Sequence, residues 1–241
     1  MQKLYQKAPL LFAILFIVVY VVGMSSADEA SKVLDVQGSF SLLFSVALSA
    51  LLLVFILHGK HRETFGLVFP RVRGKRVLFY LPLVALVSVN FWLGLTLNLS
   101  PLESVLTACC MLFVGFLEEV IFRGLLFCAM ARDNQTAAIV VSSVTFGIGH
   151  IVNLFNASGA ELVSTALQVV YATAAGFLFV VLFLKTKSLL PAIFTHSFLN
   201  ASSVFANEAA RTLPFEILSA AFLTLVAAGY AIYLWRALPE E

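Results

Sequence analysis

Three short stretches of this chain carry side chains able to do acid–base chemistry. The first is Glu118-Glu119-Val120-Ile121-Phe122-Arg123. On a helix, Glu119 and Arg123 lie four residues apart, share a face and can pair. Glu118 is turned about 100° from Glu119, so the same arginine serves it less well. This spacing predicts a supporting, arginine-paired Glu119 and a less compensated Glu118 suited to general-base work. The second stretch is Phe146-Gly147-Ile148-Gly149-His150, followed by Asn153. His150 and Asn153 share a helix face, and Gly147 and Gly149 would let a neighbouring helix approach closely. A histidine there can accept a proton or orient a water. The third is His196-Ser197-Phe198-Leu199-Asn200, where His196 and Asn200 sit four apart and can both donate to one developing oxyanion. Each stretch alone is also compatible with ordinary hydrogen bonding between helices. Together they supply a base, a water orienter and an oxyanion-stabilising pair, the inventory for hydrolysis by an activated water.

The elements that must position these residues are membrane helices. Of the 241 residues, 61% are hydrophobic and only 12% are charged, against about 45–50% and about 25% in an ordinary soluble domain. Lipid must cover part of that apolar surface. A disordered chain is excluded, and so is a disulfide scaffold: the three cysteines, Cys109, Cys110 and Cys128, lie in apolar runs and form no Cys-x-x-Cys spacing. A spanning helix needs about 20 mostly apolar residues. Eight candidates follow: Ala8–Met24, Phe40–Leu57, Val77–Leu97, Val105–Met130, Ala137–Phe155, Leu162–Leu184, Leu189–Phe205 and Pro214–Trp235. The expected fold is therefore all-α and polytopic, a single membrane-embedded domain over residues 1–241 with a polar catalytic cavity inside the bundle and a motif core at about 105–205. Glu118 falls roughly 14 residues, or about 20 Å, from the outer end of the fourth span, where an ionisable group is costly and marks function.

Loop charges orient the bundle. With the N-terminus in the cytoplasm, 12 of the 15 Lys and Arg fall inside, Lys32 and Arg211 fall outside, and Arg123 lies within a span. This predicts a multi-pass protein of the cell (inner) membrane with both termini cytoplasmic. The longest loop holds Lys60, Arg62, Arg71, Arg73, Lys75 and Arg76. It suits anionic lipid headgroups, and no nucleic-acid partner is expected. Ser25-Ser26-Ala27 resembles a signal cleavage site, but retention of the first segment as a span fits the later spans better. Asn90, Asn98 and Gln168 read as packing contacts or cavity lining.

Other hydrolytic chemistries fit less well. His-Glu-x-x-His and Gly-x-Ser-x-Gly are both absent, although serines near the motifs leave a Ser–His nucleophile open. Glu118, His150 and His196 could together hold zinc with an open position, so zinc stands as the alternative to a cofactor-free site.

The joint pattern Glu118-Glu119-x-x-x-Arg123, Phe146-x-x-x-His150 and His196-x-x-x-Asn200 resembles that of the CAAX protease and bacteriocin-processing (CPBP, or Abi) family, which includes the type II CAAX prenyl endopeptidases. The resemblance covers about Glu118 to Asn200. It implies an eight-span intramembrane endopeptidase of the glutamate type, with a membrane-associated protein or peptide as substrate. It further implies that Glu118 and His150 activate water, that His196 and Asn200 form the oxyanion hole, that Glu119 and Arg123 support the site, and that no metal is required. Older descriptions of the family as metalloproteases keep zinc in view. Two other classes remain: a non-catalytic scaffold or bacteriocin-immunity protein, and a transporter whose buried charges mark an ion path.

Overall fold

A computed structural model describes residues 1–70, 80–155 and 161–237. The basic loop residues Arg71, Arg73, Lys75 and Arg76, and the start of the third predicted span, lie outside the described residues. Among the described residues the chain is all-helical apart from one isolated bridge between Leu95 and Ala206, and six helices have the length and apolarity to cross a membrane. After a short α1 (Gln2–Lys7) come α2 (Pro9–Val33) and α3 (Ser39–His58). Next is α5 (Pro101–Glu119), which runs through a π-helical stretch (Val120–Phe127) into α6 (Cys128–Met130) to make one crossing. The remaining crossings are α7 (Gln135–Gly149) with a 3-10 extension (His150–Leu154), α8 (Leu162–Thr186) and α10 (Leu213–Ala237).

Two of the eight expected spans are not among these six. The third predicted span forms only α4 (Leu81–Ser88) and a 3-10 turn (Val89–Phe91) among the described residues. It is broken at Gly94, whose φ of +81° suits glycine. The seventh forms α9 (Leu190–Ser203), whose 14 residues reach about 21 Å against a hydrocarbon core of about 30 Å. At one face, the Leu189 and Ser188 groups preceding α9 bond Gly66 O and Val68 O at 2.7 and 2.6 Å. At the opposite face, Asn98 and Asn207 bond the Ala206 and Leu93 carbonyls at 2.8 and 3.3 Å. The turn between α2 and α3 lies with this second group, since Gln37 N donates to Glu103 Oε1 at 3.0 Å. Contacts of Arg132 with Tyr5 and of Lys185 with Trp235 belong to the first group.

Local sequence explains where the site-bearing helices begin. Ser100-Pro101-Leu102-Glu103 forms a capping box that starts α5, satisfying backbone donors that would otherwise be orphaned in lipid. Asn134 caps α7 through Ala137 N at 2.9 Å. The first segment is a structural member of the bundle: Tyr5, Phe12, Phe16 and Tyr20 are buried in the main core, so cleavage behind Ala27 would remove them from it.

Small residues set the helix spacing. A Cβ on Gly115 would stand 2.5 Å from the Ser197 backbone, so α5 and α9 touch main chain to main chain there. Gly147 likewise seats Thr173 of α8. Gly149 does not act as expected: a Cβ there would meet nothing within 4 Å.

Gly115→Ala must therefore separate the two helices that carry Glu118 and His196. The expected outcome is a clear fall in the melting temperature of the detergent-solubilised protein. Gly229→Ala, where a Cβ meets nothing, should leave that temperature equal or higher because alanine favours the helix. Equal melting temperatures for wild type and Gly115→Ala would contradict the close-contact assignment.

Candidate active site

The two adjacent glutamates stand at the junction of α5 and the π-helical stretch. A π turn adds a residue per turn and is common at functional sites; here it follows directly on Glu119. Glu119 and Arg123 are both fully buried and pair at 3.1 Å, as their spacing predicts. Arg123 also lies over the faces of two aromatic rings, 4.2 Å from the Phe146 centroid and 5.6 Å from that of Phe179. Its Nε and Nη2, and Glu119 Oε2, find no polar partner among the described residues, so ring faces supply much of the cation's solvation.

His196 reaches across from α9 and joins the two carboxylates. Its Nδ1 lies 2.8 Å from Glu119 Oε1, and its Nε2 lies 3.3 Å from Glu118 Oε2. A neutral imidazole has one N–H and donates to only one of them; a doubly protonated ring donates to both. Glu118 is the less enclosed carboxylate, 12% exposed against 0% for Glu119, and Arg123 pairs with Glu119 instead. Its other oxygen accepts a hydrogen bond from Tyr20 Oη at 2.7 Å. Tyr20 belongs to α2 and carried no signal in the sequence, where it is one tyrosine in an apolar run.

The remaining candidates surround this cluster. His150 is half-buried at the start of the 3-10 extension and makes no hydrogen bond among the described residues. The Phe146 ring stands between the two histidines, 5.3 Å from His150 and 5.5 Å from His196, edge-on to both. Phe146 therefore organises the site on both its edge and its face, a role that its position in the motif did not reveal. Asn200 is half-buried one turn beyond His196, and its amide makes no hydrogen bond among the described residues. Asn153 donates to Gln168 Oε1 on α8 at 3.2 Å. Asn90 holds the end of α9 through Leu199 O and Ser202 Oγ at 2.7 and 2.8 Å.

No group of three or more His, Cys, Asp and Glu among the described residues is arranged to hold a metal ion. The alternative set of Glu118, His150 and His196 therefore does not form a ligand cage in this arrangement, because His196 points its two nitrogens at the two glutamates. A separate apolar groove of about 600 Å³ opens on the neighbouring face of α9. Leu83, Val84 and Val87 of α4 line one side of it, and Phe194, Thr195 and Phe198 line the other.

Residues 100–202, from the cap of α5 to the end of α9, match the family model of the type II CAAX prenyl endopeptidases, Rce1-like. The match contains Glu118, Glu119, Arg123, His150, Asn153, His196 and Asn200, and over this region the chain is similar to the CAAX-type membrane peptidases. It leaves out α2, α3 and α10. No curated protein matches the chain.

Removing either half of the buried ion pair leaves a charge with no counterion. Arg123→Ala and Glu119→Ala should each cost about 3–5 kcal/mol, read as a lower melting temperature and a lower yield of folded protein from membranes. Wild-type stability in both variants would contradict the pairing.

Proposed function

We propose that this protein is an intramembrane endopeptidase that cleaves a peptide bond in a membrane-associated protein or peptide with water activated by Glu118. The observation that carries the reading is the unequal treatment of the two glutamates. Glu119 is matched by Arg123 and His196. Glu118 is held by neutral and shared donors only and is the more accessible of the two.

In this reading His196 donates from Nδ1 to Glu119 and from Nε2 to Glu118. A water between Glu118 and His150 gives a proton to Glu118 as its oxygen attacks the substrate carbonyl. Negative charge leaves Glu118 and appears on the carbonyl oxygen. Once Glu118 is neutral, its claim on the His196 Nε2–H weakens, and that donor turns with the Asn200 amide to the oxyanion. Glu118 then hands its proton to the departing amine nitrogen and returns to the carboxylate. Glu119 keeps His196 oriented throughout, as a carboxylate does for a catalytic imidazole. The base is a protein side chain, so the scheme runs without a cofactor.

A CAAX-type prenylated tail is the substrate class that the family match favours. The apolar groove supports it, because Thr195 lines that groove beside His196 and would place an isoprenoid tail next to the reacting carbonyl. The protein acts, in this proposal, in the cell membrane with both termini cytoplasmic, as the loop charges indicate.

The test is cleavage of a farnesylated, fluorogenic CAAX peptide by purified protein in lipid vesicles. Glu118→Ala should abolish turnover. Asn200→Ala should lower kcat by about 100–1,000-fold with the melting temperature unchanged. Cleavage by Glu118→Ala at the wild-type rate would overturn the assignment of the base.

A further inference from the structure

Tyr20 lies outside the region matched to the family, yet it touches the proposed base more closely than any other described residue. Its hydroxyl donates to Glu118 Oε1 at 2.7 Å, while His196 Nε2 lies 3.3 Å from Oε2. The two donors come from different helices, α2 and α9. Each carboxylate oxygen is thereby tied to a different helix, which fixes the rotation of the carboxyl plane. The Tyr20 ring is buried in the core with Phe16 and Phe12 of the same helix, and α2 packs along the π-helical stretch that follows the glutamates. The phenol is therefore held on a packed helix.

From this geometry we infer that Tyr20 is a positioning residue for Glu118, an inference that rests on the protease reading above. During turnover Glu118 alternates between carboxylate and carboxylic acid. A phenol donates to the unprotonated oxygen in both states, whereas a partner cation would favour only the charged one. Tyr20 keeps one oxygen occupied and still while the other exchanges a proton with water and then with the amine. It touches neither water nor substrate itself. The site therefore extends beyond the three motifs into the first membrane helix.

Tyr20→Phe tests this, because phenylalanine fills the same space and deletes only the hydroxyl. With the farnesylated fluorogenic peptide in vesicles, kcat should fall about 10–100-fold, the scale expected for a misplaced catalytic group. KM should stay within about twofold, since nothing that binds the substrate is removed. In a Glu118→Ala background the same change should have no further effect on the residual rate. Melting temperatures provide the control for folding: Tyr20→Phe should lower the value in the wild-type background, where it strands a buried carboxylate oxygen, but not in the Glu118→Ala background. An unchanged kcat in Tyr20→Phe, with wild type active and Glu118→Ala inactive, overturns this inference and leaves the protease reading standing. Equal lowering of the melting temperature in both backgrounds also overturns it, since the hydroxyl would then act by packing alone. Absence of cleavage by wild type, matching Glu118→Ala, sinks the protease reading and this inference with it.

Discussion

Two adjacent carboxylates inside a lipid-covered bundle set the terms for everything around them. A charge at mid-membrane costs at least about 2.5–3.5 kcal/mol even on lenient scales, and two like charges side by side cost more. Arg123 on the same helix, with the aromatic faces of Phe146 and Phe179 above it, and His196 from α9 make the pair tolerable. Those partners dictate that α5 and α9 come together, and Gly115 allows it by letting the Ser197 backbone sit where a side chain would be. The phenylalanine that opens the second motif brings α7 to the same point.

This constraint explains why the helices nearest the site depart from regular form. The π-helical stretch starts immediately after Glu119, α7 gives way to a 3-10 turn at His150, and α9 is only 14 residues long. In a bilayer such departures are tolerated where protein, not lipid, surrounds the backbone. The long helices α8 and α10 stay regular, and α8 supplies Phe179 to the site. Side chains of α2, α5, α7, α8 and α9 meet around the glutamates, with a half-buried His150 and Asn200.

Much of the fold is legible in the sequence because membrane helices announce themselves by length and apolarity. The boundaries of α3, α8 and α10 fall within a few residues of the predicted spans. Among the described residues the third and seventh segments are regular helix over only part of their apolar runs, since hydropathy does not register where a helix ends. The Glu119–Arg123 pair was legible because both partners lie on one helix and spacing fixes their relation. The bridging position of His196 and the contact from Tyr20 were not, since each depends on which helices become neighbours. Gly149 shows the limit of the same reasoning: its type fitted a close contact that the neighbouring helix does not make.

The central claim is that Glu118 is the base of a protease and not one member of a structural ion cluster. The most direct test compares the termini of membrane proteins in host cells carrying wild-type protein or Glu118→Ala at matched expression. The account predicts new termini with wild type only, and their sequences identify the class of substrate. Identical termini, together with the same cellular phenotype from both versions, would contradict it and leave Glu118 as part of a scaffold.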